Sequence, residues 1–183
     1  MIRGLRHLIL WTFLCGILYP ILVFGTARIA FAKESSGSLL RKGDSVLGSE
    51  LLAQKFDSSK YFRSRPSASE YKSDSGSGSN LGPSNKSLEK TVQERRSEWL
   101  SRGGGENVPT ELLHSSGSGL DPHLSPEAVR YQIPIVAKAR EIGIEELERT
   151  VQESIEGPQW GIFGPRKINV LKLNLKLDSR GSI

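Results

Sequence analysis

No aspartate or glutamate occurs before residue 34, although the 183-residue chain holds 20 of them. Cysteine is nearly absent as well. The only one, Cys15, lies in the apolar N-terminal run, so the rest of the chain can form neither a disulfide nor a cysteine-based zinc site. No Gly-rich loop closed by Gly-Lys-Ser/Thr occurs, which excludes a phosphate-loop ATPase, because that loop's amides and lysine hold the phosphates. Gly-x-Ser-x-Gly is missing too: the nearest string, Ser116-Gly117-Ser118-Gly119, lacks the first glycine of a hydrolase elbow. There is no internal repeat. Charged residues at 25% and apolar residues at 37% exclude a wholly disordered or collagen-like chain, and the length fits one domain plus an appendage. The sequence pI near 9.4 carries little weight. From residue 33 onward there are 22 basic against 20 acidic residues, interleaved, with no basic stripe for nucleic acid.

What the chain does have is a long uncharged run, Leu8 to Ala27. At about 1.5 Å per residue it covers roughly the 30 Å of a bilayer's hydrocarbon core. It reads as a spanning helix, in which Pro20 is tolerated because local adjustments re-satisfy the freed carbonyl. Two rival readings are weaker. A cleaved signal would have a shorter apolar region, although Ala30-Phe31-Ala32 fits a cleavage site, and Leu14 stands where lipidation of Cys15 needs a small residue. Charge does not orient the helix, since Arg3 and Arg6 flank one end and Arg28, Lys33, Arg41 and Lys42 the other. The organisation read from sequence is an N-terminus at 1–7, a transmembrane helix at 8–32, a Ser/Gly-rich tether at 33–42 and one folded domain at 43–183.

Within that domain, Lys72 to Asn85 has the composition of a flexible linker. Three helices are predicted. The first starts at an Asn85 cap, places Leu88, Val92 and Trp99 on one face and ends at Gly103-Gly104-Gly105. The second starts at a Ser125 cap followed by Pro126 and Glu127, and buries Val129, Ile133, Val136 and Ala137, with Pro134 expected to kink or divide it. The third puts Ile144, Leu147, Val151 and Ile155 on one side and pairs Glu145 with Arg149. From Asn169 to Asp178, Leu171, Leu173, Leu175 and Leu177 alternate with polar residues, the two-residue period of a strand. Val108–His114 and Trp160–Phe163 are its candidate partners. The expected class is α+β: one N-terminal transmembrane helix, then a small domain of three or four helices and a short sheet with a C-terminal strand.

Candidate chemistry is sparse. Ser69-Glu70-Tyr71-Lys72 satisfies Ser-x-x-Lys, the nucleophile and base of penicillin-binding enzymes, but the companion Lys-Thr-Gly and Ser-Asp-Asn strings are missing. His114 and His123 could ligate a metal with Asp121, yet isolated histidines at that spacing more often make ordinary hydrogen bonds. Asp121-Pro122-His123 reads better as a turn. On these grounds no catalytic residue and no metal ligand is assigned.

Four strings carry a resemblance. Tyr61-Phe62-Arg63-Ser64-Arg65-Pro66-Ser67-Ala68, Ser79-Asn80-Leu81-Gly82-Pro83-Ser84-Asn85, Ser116-Gly117-Ser118-Gly119-Leu120-Asp121-Pro122-His123-Leu124-Ser125-Pro126 and Asn169-Val170-Leu171-Lys172-Leu173-Asn174-Leu175-Lys176-Leu177-Asp178 resemble, in the same order, the C subunit of the bacterial Kdp potassium-transporting ATPase. The resemblance runs from the membrane helix to Asp178. It implies an accessory subunit of a high-affinity potassium uptake pump in the bacterial plasma (inner) membrane, beside a channel-like A subunit and an ATP-hydrolysing B subunit, with membrane lipid as a further partner. The chain itself has no Asp-Lys-Thr-Gly aspartyl-phosphate signature. The family is described as a catalytic chaperone that raises the ATP affinity of the hydrolysing subunit, with the glutamine here numbered Gln132 touching the nucleotide, and ATP shared rather than tightly bound. It is also described with its N-terminus cytoplasmic and its domain extracytoplasmic.

Those two implications collide, because ATP is cytoplasmic and a single anchor cannot bring a domain on the far side to it. The alternative is a structural or gating cap over the extracytoplasmic mouth of the channel subunit. The matched residues Tyr61, Phe62, Arg65, Pro66, Ser67, Asn80, Gly82, Pro83, Asn85, Ser118, Gly119, Asp121, Pro122, His123, Ser125, Pro126, Asn169 and Asn174 are expected to serve fold or interface. The chain departs from the family's Gly-Glu-Pro-Arg at Gly164-Pro165-Arg166-Lys167, from an arginine at Ile135 and from a His-Thr pair at Glu153-Ser154. Roles of those side chains do not carry over.

Overall fold

Pro20 in an otherwise helical span must meet the carbonyl four residues before it, that of Gly16. The computed structural model, which describes residues 2–180, shows how the chain resolves this conflict. Helix α1 (Ile2–Ala30) is continuous, and the five residues Leu14–Leu18 wind as a π-helix just before the proline, the wider turn that takes up the extra bulk. At about 1.5 Å per residue α1 is about 44 Å long, and it is long and apolar enough to cross a membrane, with none of its apolar window buried. The chain divides into two units at Ser49/Glu50. Besides α1, the first contains an antiparallel hairpin, β1 (Leu39–Lys42) and β2 (Ser45–Ser49), bulged between Leu40 and Arg41 and turned at Gly43 with φ +60°. The stretch read as a tether therefore includes β1.

The second unit holds α2 (Lys86–Ser101), the single turn α3 (Thr110–Leu113), β3 (His123–Leu124), α4 (Pro126–Arg140), α5 (Ile144–Gln152), β4 (Ile168–Asn169) and α6 (Val170–Arg180). The two expected caps form. Asn85 accepts a hydrogen bond from the Ser87 amide at 2.8 Å, and Ser125 Oγ accepts one from the Ala128 amide at 3.2 Å. The core joins α4 (Val129, Ile133, Val136), α5 (Leu147, Val151), α6 (Leu173, Leu177), Leu112 and Leu124 around Phe62.

The class is the expected α+β, with a C-terminal strand at β4 that pairs antiparallel with β3, His123 opposite Asn169 and Leu124 opposite Ile168. Four local expectations are corrected. The alternating segment after Asn169 is helical, because Val170, Leu171, Leu173, Asn174 and Leu177 share the buried face while Lys172 faces outward. Val108–His114 contains the turn of α3, and Trp160–Ile162 is a turn closed by a single bridge of Phe163 with Gln159, so neither segment is a strand that pairs with the C-terminal one. Pro134 does not divide α4: its ring is on the exposed side and the helix runs through it. Among the described residues no ion pair joins Glu145 to Arg149; Glu148 of α5 pairs instead with Arg130 of α4 at 2.7 Å.

Candidate functional site

The residues from Tyr61 to Pro66 form a strap without regular secondary structure, so their backbone groups need partners from elsewhere. Two buried carboxamides supply them. Asn174 of α6 donates from Nδ2 to the Phe62 carbonyl at 2.8 Å and accepts from the Phe62 amide at 2.9 Å. Gln132 of α4 does the same for the next residue: Nε2 donates to the Arg63 carbonyl at 3.0 Å and Oε1 accepts from the Arg63 amide at 2.8 Å. Each side chain thus completes both backbone groups of one strap residue, as a neighbouring strand would. Gln132 and Asn174 are each only 1% exposed, and Phe62 is fully buried between them and the core. At the strap's start, Tyr61 donates to Asp178 at 3.1 Å while the Arg140 guanidinium lies 4.9 Å over its ring and reaches Asp178 at 2.7 Å.

Past the half-buried Pro66, two Ser/Gly strings interlock. Ser67 Oγ accepts from the Tyr71 amide at 2.9 Å, and the Tyr71 hydroxyl donates to the Arg65 carbonyl at 2.9 Å; burial pushes that phenol's pKa up. Gly119, at φ +68°, lies where a Cβ would meet the Ser77 carbonyl oxygen at 2.5 Å, and a Cβ on Gly76 or Gly78 would press on the Ser118 or Gly117 carbonyl. The stretch read as a linker is therefore laid against the 116–120 loop of its own unit. Asn80, Gly82 and Pro83 are exposed on the way to the Asn85 cap, Asn80 at φ +54°. Ser118 Oγ accepts from the Leu120 amide at 3.1 Å.

The same loop leads into a charged cluster. Asp121 Oδ1 accepts from the His123 amide at 3.0 Å and lies 3.5 Å from His123 Nδ1, while Arg65 stands 3.8 Å away and donates to the Ser115 carbonyl at 3.3 Å. The His123 side chain, aided by its amide and by Arg65, holds the Asp121 carboxyl below the usual carboxylate range against the effect of burial. The Pro122 carbonyl accepts from the Val170 amide at 2.9 Å. Asn169 caps α6 through the Lys172 amide at 3.1 Å and donates to the Glu50 carbonyl at 2.7 Å. Arg65, Asp121 and His123 separate two adjoining clefts. One, of about 430 Å³, is lined by Leu51, Leu52 and Ser116; the other, of about 290 Å³, by Glu111, Ser125 and Arg166.

Signature residues from three distant strings thus meet around one cluster, whose chemistry is ion pairing and hydrogen bonding. Ser69 and Lys72 are not set up as nucleophile and base: Ser69 Oγ pairs with Ser67 Oγ, and the Lys72 ammonium goes to Glu70 at 3.5 Å. Among the described residues no three His, Cys, Asp or Glu side chains gather to hold a metal. Of the departing positions, Ile135 is buried in α4, Glu153 binds Lys176 at 2.9 Å and Pro165 lines the smaller cleft. Sequence reasoning missed Glu111, whose carboxylate accepts from the Ser125 amide at 2.9 Å and ties α3 to the start of α4. No local pattern announces that pairing.

A family model described as KdpC, K+-transporting ATPase, c chain, matches residues 1–179. Among curated relatives, the potassium-transporting ATPase KdpC subunit of Citrifermentans bemidjiense is 44% identical over 176 residues, covering 94% of this chain and 93% of the relative. Those of Geobacter metallireducens (44% over 180 residues, 96% and 95% covered) and Polynucleobacter asymbioticus (42% over 176 residues, 93% of each) are similar to the same extent.

Proposed function

The chain belongs to the KdpC family of K+-transporting ATPase c chains, and from that premise we propose that it is an accessory subunit without catalysis of its own. In this reading α1 anchors it in the bacterial plasma membrane with the N-terminus cytoplasmic. The folded unit lies on the extracytoplasmic side, beside a channel-like subunit and an ATP-hydrolysing subunit, and acts as a rigid structural cap. The observation that carries the reading is the state of Gln132. Both ends of its carboxamide are bonded to Arg63 and the residue is 1% exposed, so it offers no free atom to a nucleotide. The residues present do not fit ATP at this position. Gln132 supports assembly indirectly, by fixing the strap and with it Arg65 and its cluster.

Affinity purification of the tagged chain from native membranes tests the partnership, with two larger subunits expected to co-purify; recovery of the chain alone counts against it. Topology is tested with Cys15→Ser plus Ser101→Cys at the exposed end of α2. A membrane-impermeant maleimide added outside should label it, and labelling only after the cytoplasmic face is opened overturns the extracytoplasmic placement.

A further inference from the structure

The loop between α5 and β4 is an exposed apolar tip on a built stem. Glu156 and Lys167 exchange backbone hydrogen bonds at 2.8 and 3.0 Å, and Gln159 and Phe163 form a second rung at 2.8 and 2.9 Å. Beyond it the chain reverses through Trp160 at φ +53° and Gly161 at φ +78°. Trp160 is 90% exposed, Ile162 77% and Phe163 61%, with the two aromatic rings edge to face at 6.1 Å. The left-handed backbone region disfavours a side chain as bulky as tryptophan, and the tip recovers nothing by burial within its own unit. Its function therefore lies in what it meets.

We infer that this tip inserts into the interfacial layer of the bilayer that α1 crosses. Tryptophan and phenylalanine on a convex turn suit that layer, which accepts apolar groups without a matching pocket. Arg166, exposed beside the tip, supplies a positive charge for anionic headgroups. The chain also keeps lipid in reach. Even fully extended at about 3.4 Å per residue, residues 31–49 cover only about 65 Å, so the unit is confined near the membrane and a weak contact suffices at that effective concentration. The inference rests on α1 as an anchor, but on no partner subunit.

The test uses the full chain with Trp11→Phe, reconstituted in vesicles of phosphatidylcholine and phosphatidylglycerol. Trp99 is buried and donates to the Leu112 carbonyl. Its signal is subtracted with a second protein that also carries Trp160→Phe. Bromine-labelled lipid is expected to quench Trp160 while aqueous iodide does not, and Arg166→Gln should lower the docked-to-free ratio about fivefold. Quenching by iodide and not by brominated lipid overturns the inference. So does protection from both quenchers that appears only on assembly with partner subunits, which assigns the tip to a protein surface. Extraction with alkaline carbonate separates the two possible failures: a released chain refutes the anchor, and a retained chain with iodide-accessible Trp160 refutes the tip.

Discussion

Replacing Gln132 by leucine keeps helix propensity and approximate volume but leaves the Arg63 amide and carbonyl without partners beside the core. Each unsatisfied buried group costs about 1–3 kcal/mol, and the extra apolar contact of leucine returns part of this. The net expectation is about 2–4 kcal/mol, a large share of the ~5–15 kcal/mol that holds a domain together. For a unit of this size that lowers Tm by about 10 °C. Asn174→Leu strips Phe62 in the same way. The two carboxamides hold adjacent residues of one strap, so the double variant should cost less than the sum of the singles, by about 1 kcal/mol. The assay is thermal unfolding of the full chain in detergent followed by circular dichroism, with hydrogen exchange at the Phe62 and Arg63 amides as the local readout. A Gln132→Leu chain with unchanged Tm and unchanged protection, whose assembled complex nonetheless binds ATP more weakly, would refute the scaffold role and restore nucleotide contact.

Three further outcomes follow from the same geometry. Gly119→Ala places a Cβ against the Ser77 carbonyl at a positive φ and should cost about 2 kcal/mol or more, whereas Gly117→Ala, with nothing within 4 Å, should stay within about 0.5 kcal/mol in denaturant unfolding; equal effects would mean the Ser/Gly strings do not interlock. Asn169→Ala loses the α6 cap and the bond to Glu50, with an expected cost of about 2 kcal/mol and reduced helical signal on heating. Asp121 has a folded pKa below its unfolded value of about 3.9, so its contribution is complete above about pH 4 and is lost as the pH falls through the lower folded value. The stability gap between parent and Asp121→Asn, measured by urea unfolding, should therefore shrink from pH 7 to pH 3, and a constant gap would exclude the ion-paired role.

The buried glutamine and asparagine mark where sequence reasoning stops. Gln132 falls within the stripe set by Val129, Ile133 and Val136, and Asn174 among alternating leucines. Burying either carboxamide is unfavourable unless both its ends are paired. Nothing local reveals that Phe62 and Arg63, more than sixty residues away, complete them. With Asn174 assumed to face water, the leucines at every second position read as a strand. Once it is paired, Val170, Leu173, Asn174 and Leu177 make one helical face, and the Asn169 cap starts the helix.

Sequence by itself determined the features that depend on near neighbours: the apolar helix, the Asn85 and Ser125 caps, the stripe of α4 and, through four ordered strings, the family. Tertiary structure alone decided which polar groups could be buried, how the two Ser/Gly strings lie together and that Trp160, Ile162 and Phe163 form an uncovered tip. The division has one cause. Caps and amphipathic faces are settled within a turn or two of chain, whereas a hydrogen bond between a side-chain amide and a distant backbone exists only after the chain has closed around it.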